Sequence, residues 1–396
     1  MKPTTIGGPD YFHKVVDCQW ACPAHTPVPE YIRLIAGGRY SEAYMINWKS
    51  NVFPGILGRV CDRPCEPACR RGRIDKEPVA ICRLKRVAAD LKDDIQAVLP
   101  KAPEKKNGKR VACVGAGPAS LTVARDLAPL GYQVTVVDKH LYPAMETSFA
   151  NGGQLSACNA EVWNQKATVL KGIKWMAQKS APLLLNPSFS VHKYAWLLEF
   201  MGNIKHYQAN TKETVRIALL ARQRLFEIAE KEQIQFDLEK RGILHFYHTQ
   251  ADYEVAVRVN ELLREGGLER HAVSNAEIKS IEPSLTGDYY GGFYCPGDAT
   301  GDIHKFSSGL AAVTEKLGVT YRFGMEASAV QPHEKGVRIQ LKPSDENMDQ
   351  PADAVEMLNA DAIVVCGGVG SYQLAEMLGD RVNIYPVKGY SITVEL

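Results

Sequence analysis

The sequence predicts a mixed α/β and α+β chain with a small helical module in front. Three observations predict it. A strand–glycine turn–helix–strand pattern occupies residues 110–138, a second apolar strand ends in glycines over 361–370, and six of the ten cysteines fall within the first 82 residues. A length of 396 residues suits two or three domains at ~150 residues each. An apolar fraction of 45% with 23% charged residues is ordinary for a globular protein and excludes disordered, collagen-like and coiled-coil chains. The formal charge of +2 argues against nucleic acid as a partner. No apolar run reaches the ~18 residues of a membrane span, and Met1–Thr5 lacks the apolar core of a signal peptide. The expected compartment is therefore the cytoplasm, where thiols stay reduced.

The N-terminal cysteines read Cys18-x3-Cys22-Pro23, Cys61-x3-Cys65-x3-Cys69, and Cys82. All six are candidate metal ligands, because several tight turns can converge on one inorganic centre. Zinc prefers C-x2-C pairs, and there are none. Iron–sulfur clusters tolerate wider spacings and often have proline beside a ligand, so a 4Fe-4S centre is the leading reading over zinc or structural thiols. Residues 59–92 carry ten Lys or Arg against five Asp or Glu, a field that stabilises an anionic cluster. Six thiols suffice for one such cluster with two left over. A second would need ligands such as Asp10 or His13. Cys113, Cys158, Cys295 and Cys366 are scattered singly, and Cys113 and Cys366 sit in apolar runs that read as core.

Taken in order, residues 1–105 form the helical module. Residues 27–48 predict two short helices, with Thr26 capping the first and Gly37-Gly38 ending it. Residues 79–97 predict a third helix with Cys82 in its first turn. Residues 99–108, rich in proline and charge, are the linker. Residues 106–159 begin a nucleotide-binding domain: a strand, the turn Gly115-Ala116-Gly117-Pro118-Ala119-Ser120, a helix over 121–130 and a strand over 133–137. Gly115 makes the turn tight, Gly117 admits a pyrophosphate to the helix N-terminus, and small Ser120 keeps helix and strand close. Asp138, 21 positions after Gly117, is placed for ribose hydroxyls, with Lys139 beside it. The polar run holding Thr147, Ser148, Asn151, Gly152, Gly153 and Gln154 suits a cofactor larger than NAD, such as FAD.

Residues 160–297 carry no second nucleotide fingerprint and predict an inserted α+β substrate domain. It has a long amphipathic helix over 211–233, strands over 242–248 and 289–294, and aromatic residues that read chiefly as core. Residues 298–384 return to the first domain's style. A helix is predicted over 301–317, strands over 319–323 and 337–341, and a buried strand ending in Gly367-Gly368 that a discontinuous FAD domain needs near the cofactor. Residues 385–396 read as the start of a strand returning to the substrate domain. The fold class is thus a small helical iron–sulfur module followed by a Rossmann-like FAD domain with an inserted α+β domain.

Two resemblances follow from particular motifs. Residues 1–138 resemble the N-terminal part of the glutamate synthase small-subunit family, which shares its design with the first domains of dihydropyrimidine dehydrogenase. The motifs are Cys18-x3-Cys22-Pro, Asn51-x-Phe-Pro-Gly-x-x-Gly-Arg-Val-Cys61-Asp-Arg-Pro-Cys65-Glu-Pro-Ala-Cys69, Ile81-Cys82-Arg-Leu-Lys-Arg and Gly115-Ala-Gly117. That family's module holds two four-iron clusters. Its full ligand sets include a further pair of cysteines near the positions of Asp10 and His13. Residues 132–396 resemble FAD-dependent D-amino acid dehydrogenases, through Met145-Glu-Thr-Ser-Phe-Ala-Asn-Gly-Gly-Gln-Leu-Ser, Asp298-Ala-Thr-Gly-Asp and Pro386-Val-Lys-Gly-Tyr-Ser.

The second resemblance implies oxidation of a D-amino acid to an imino acid, with electrons passed to a quinone or another carrier. It also implies a peripheral contact with the inner membrane, for which residues 170–185 are the candidate helix, and a C-terminal portion beyond Leu396. In the Pro-Val-Lys-Gly-Tyr turn, Lys388 and Tyr390 are the candidate catalytic residues near the flavin edge. Two other readings stay open: an electron-transfer flavoprotein like the glutamate synthase small subunit, and an inactive cofactor-binding fragment.

Overall fold

In the computed structural model the chain divides into two compact units, Met1–Pro100 and Lys101–Leu396. The structure describes residues 16–50, 54–74, 76–93, 95, 106–176, 188–351 and 354–389. Asp10, His13, Tyr390, most of the linker and the second half of the 170–185 candidate helix lie outside the described residues.

The smaller unit is helical: α1 Asp17–Ala21, α2 Val28–Ala36, α3 Tyr40–Ser50, α4 Pro54–Val60, α5 Arg70–Ile74 and α6 Ile81–Asp90. Its core joins Val28, Tyr31, Ala43, Ile81 and Ala88 to the buried Cys65 and Cys82. Gly37 caps α2, and Gly38 at φ +71° turns the chain away. Thr26 does not cap α2; Pro27 takes that position, and Thr26 Oγ1 accepts from Ser50 Oγ at 3.1 Å. The helix expected over 79–97 is shorter, because the backbone N–H of Asp93 is taken by Ser41 Oγ at 3.0 Å. Short helix α4 lies hard against α6: a Cβ on Gly58 would stand 2.8 Å from Arg86 Cγ and 3.1 Å from Cys82 O. Glycine there lets Cys61, at the end of α4, approach Cys82.

The larger unit runs, in order, β1 Arg110–Val114, α7 Pro118–Leu127, β2 Gln133–Asp138, β3 Gln154–Leu155, α8 Lys166–Met176, α9 Val191–Gly202, α10 Tyr207–Lys231, β4 Ile243–Tyr247, α11 Gln250–Glu265, β5 His271–Val273, α12 Asn275–Ile281, β6 Gly291–Cys295, β7 Ala299–Thr300, α13 Ile303–Lys316, β8 Thr320–Phe323, β9 Met325–His333, β10 Gly336–Pro343, β11 Glu356–Ala360, β12 Ala362–Val365 and α14 Ser371–Met377. A parallel sheet has the order β12-β1-β2-β8. Segments on either side of residues 160–297 therefore build one sheet, and the nucleotide-binding domain is discontinuous. All of β1 but Arg110 is buried, as a central parallel strand requires. One apolar cluster joins Ala112, Val114 and Val137 to Ile339 and Leu341 of the antiparallel sheet β11-β10-β9; others join the parallel sheet to Ala124 of α7, and Leu121 of α7 to Leu310 of α13. The inserted segment folds as helices with the antiparallel sheet β4-β6-β5.

Three expectations need correction. Residues 385–389 form no strand, since no described strand pairs with them and an unpaired strand leaves its backbone groups without a ladder. Trp163 is 70% exposed rather than core. Cys366 is half-buried, because it stands at the open end of β12, unlike Cys113 at the centre of the sheet.

Candidate functional site

The smaller unit gathers six thiols. Cys65, Cys69 and Cys82 are buried; Cys18, Cys22 and Cys61 are half-buried. Their electrostatics divide them. A hydrogen bond between Cys82 and Cys65 pushes the Cys82 thiol well up and holds Cys65 below the ordinary thiol value. Burial raises Cys61, which also feels Cys82. For Cys22 burial is outweighed by hydrogen bonds from Thr26 and the backbone, and the net shift is downward. The positive charge of Lys85, buried on α6, favours the thiolate at Cys22, Cys61, Cys65 and Cys82 alike. Cys18 is raised by burial and then by Cys69, so these two are neighbours of each other. Glu66 Oε1 accepts from the Cys82 N–H at 3.0 Å and fixes the start of α6. Sequence reasoning missed Lys85 and Glu66, since nothing in their spacing marks them.

In the larger unit the glycine turn sits at the C-terminal edge of the parallel sheet. Gly115 has φ +108°, and its N–H donates to Val137 O at 2.7 Å. A Cβ there would lie 2.3 Å from Cys366 O and 3.1 Å from Gly367 N, so the turn is wedged against the glycine end of β12. Gly117 precedes Pro118 at the start of α7, Ala119 is exposed, and Ser120 is fully buried. Asp138 bridges turn and strand: Oδ2 accepts from Ala116 N at 2.5 Å and Oδ1 from His140 N at 2.9 Å. The Thr147–Gln154 run is a folded loop. Asn151 Nδ2 donates to Thr147 O and Ser148 O, Asn151 Oδ1 accepts from Gly153 N at 2.7 Å, and Gln154 enters β3. A Cβ added at Gly117, Gly152 or Gly368 would meet no atom within 4 Å. Gly117 among them is the residue that opens α7, so the open space beside it lies at a helix N-terminus, which fits a dinucleotide's pyrophosphate. Lys388 is exposed and follows a stretch tied to α9, where His192 Nε2 meets Ile384 O at 2.8 Å and Asn383 Nδ2 donates to Glu199 at 2.5 Å.

Beside Asp138, Lys139 pairs with Glu146 at 2.6 Å, and His140 bridges Glu146 at 3.0 Å and Glu346 at 2.8 Å. Burial opposes a charge on His140, but the two carboxylates outweigh it and raise its pKa. A raised histidine pKa stabilises the fold fully below the unfolded value of about 6.5 and loses that contribution as pH rises through the folded value. Thermal melts from pH 6 to 9 are therefore expected to show a downward step in the parent that His140→Gln lacks.

Sequence reasoning also took Cys158 and Cys295 as scattered. The fold brings them together with Asp298, a juxtaposition no local spacing could reveal.

Residues 110–396 match the family model for FAD dependent oxidoreductases, and residues 13–97 match that for dihydropyrimidine dehydrogenase domain II, 4Fe-4S cluster. "D-amino acid dehydrogenase 3" of Mesorhizobium japonicum is 53% identical over 72% of this chain and 68% of its own length. "D-amino acid dehydrogenase" of Paramagnetospirillum magneticum is 37% identical over 72% of this chain and 66% of its own. The chain thus spans about two thirds of the length of these curated relatives. Among solved structures, glycine oxidase from Geobacillus kaustophilus is 18% identical with a TM-score of 0.46, covering 68% of this chain and 59% of that one.

Proposed function

The chain belongs to the FAD dependent oxidoreductase family, and from that premise we propose that it oxidises D-amino acids to 2-oxo acids and ammonia. The domain implies FAD, and the N-terminal domain implies a 4Fe-4S cluster. The observation that carries the reading is the 53% identity to a protein called a D-amino acid dehydrogenase. Bound FAD supplies the acceptor for the Cα hydride and its electron pair; the substrate nitrogen loses a proton, and water then releases oxo acid and ammonia from the imino acid. The chain's own part is to bind and orient. The N–H groups opening α7 take the pyrophosphate, with Gly117 and Gly368 leaving room for it. Asp138, fixed by Ala116 and His140, receives ribose hydroxyls. Cys22, Cys61, Cys65 and Cys82 hold the cluster, with Cys18 and Cys69 as the remaining pair. Electrons leave to a quinone or another carrier. No helix among the described residues is long and apolar enough to cross a membrane, and contact with the inner membrane in this reading is peripheral.

Anaerobic titration of the flavin tests the reading. Bleaching by D-amino acids with none by NADPH is expected. Prompt bleaching by NADPH would favour an electron-transfer flavoprotein like the glutamate synthase small subunit, and retained FAD without turnover an inactive fragment. Within the same reading Lys388 would act near the flavin edge, and Tyr390, its partner in that expectation, lies outside the described residues. Lys388→Met is expected to slow flavin reduction ~10-fold or more, and an unchanged rate would remove Lys388 from the mechanism.

A further inference from the structure

Two cysteines outside the iron–sulfur module meet in the larger unit. Cys158 lies in the turn after β3, and Cys295 ends β6. The Cys158 and Cys295 sulfurs and an Asp298 carboxylate oxygen all lie within 4.8 Å of one another, and all three residues are buried. His245 Nε2 stands 2.9 Å from Cys158 Sγ. The sheet explains the placement: β4 and β6 pair with Ile243 opposite Cys295 and His245 opposite Phe293, so His245 and Cys295 share a face as diagonal neighbours. Two thiols, an imidazole and a carboxylate are the donor set of a tetrahedral zinc site.

We propose that Cys158, Cys295 and Asp298, with His245 as the fourth donor, form a zinc-binding site. Asp298 is held ready by its surroundings: it accepts from Ala157 N at 2.9 Å and Cys158 N at 3.1 Å, and it pairs with Arg222. Charge favours a divalent cation. With the metal absent the Asp298 carboxylate is balanced by Arg222. Binding a divalent cation releases both thiol protons to solvent. Two thiolates, one carboxylate, the guanidinium and the cation then sum to zero, so the buried site stays neutral. His245 is only half-buried and marks the side from which an ion enters. The metal would staple the turn after the 147–154 loop to the sheet β4-β6-β5. The role is structural and does not depend on which substrate the enzyme takes.

The test uses the full chain with its cluster reconstituted and Cys18 and Cys69 replaced by serine, so that no N-terminal thiol is left to take zinc. The protein is incubated with zinc under anaerobic reducing conditions, desalted and assayed for metal. About one zinc per chain is expected in the parent and none in Cys158→Ala/Cys295→Ala, with zinc raising the parent's Tm only. Should the double variant fold poorly, His245→Ala keeps both thiols and is expected to weaken zinc ~10-fold or more in chelator competition. Equal zinc in parent and double variant overturns the site, as does unchanged affinity in His245→Ala. A Cys158–Cys295 disulfide in the non-reduced peptide map of protein kept under those reducing conditions also overturns it.

Discussion

Serine in place of Cys65 or Cys82 is expected to empty the four-iron centre, while serine in place of Cys18 leaves it intact. The thiolate is the ligand, and the four cysteines around Lys85 act on one another as a set, whereas Cys18 answers to Cys69. Iron and acid-labile sulfide should fall from about four per chain to near zero in Cys65→Ser and Cys82→Ser. The loss should reach the fold. The core of this unit is thin and includes Cys65 and Cys82 themselves, so a cluster held by them would tie the turn after α4 to the start of α6. Far-ultraviolet circular dichroism of the two variants should show helix lost from the smaller unit, and the flavin content of the larger unit should stay at the parent's level. Iron retained in Cys65→Ser, or lost equally in Cys18→Ser, would overturn this division of the thiols.

Much of the arrangement was legible in the sequence, for identifiable reasons. The pattern from Arg110 to Asp138 has a strong local signature: apolar strand, two glycines, amphipathic helix, apolar strand, acid. Its elements form almost where the pattern puts them. The long helix α10 was legible from its apolar spacing, and strand β12 from its run of Ala-Ile-Val-Val, although β12 is the sheet's edge strand and is half-buried to exposed, not buried as expected. What was not legible depends on partners distant in the chain. Edge strands β9 and β11 carry mixed polar and apolar residues, and only pairing with β10 makes them strands. The strand read into residues 385–396 fails over 385–389 for the converse reason, having local propensity but no described neighbour. The six N-terminal cysteines were visible because they recur at short spacing. Cys158 and Cys295 were not, because tertiary packing alone makes them neighbours. Which of the six thiols are neighbours was equally hidden, since Cys61 and Cys82 meet only through the packing of α4 on α6.

Gly115→Ala is expected to cost the larger unit its flavin and much of its stability. The glycine is needed twice over. Its φ of +108° lies where side chains are strained, and the added Cβ would stand 2.3 Å from Cys366 O, a backbone atom that cannot rotate aside. Relief requires β1 and β12 to part, yet they are held in register from Val111↔Ala362 to Val114↔Val365, with Cys366 N donating to Val114 O at 2.8 Å. Parting them opens the cluster around Ala112, Val114 and Val137. Strain and lost packing together are on the order of 3 kcal/mol, enough to lower Tm by several degrees. The same movement displaces the N–H groups that open α7, so FAD retention after desalting should fall further than Tm alone accounts for. Gly117→Ala separates the two effects. Its Cβ would meet no protein atom, so stability should hardly change, while any flavin lost reports the methyl group entering the cofactor's own space. A Gly115→Ala protein with full flavin and a parental Tm would show that the β1–β12 seam yields more easily than its backbone hydrogen bonds allow.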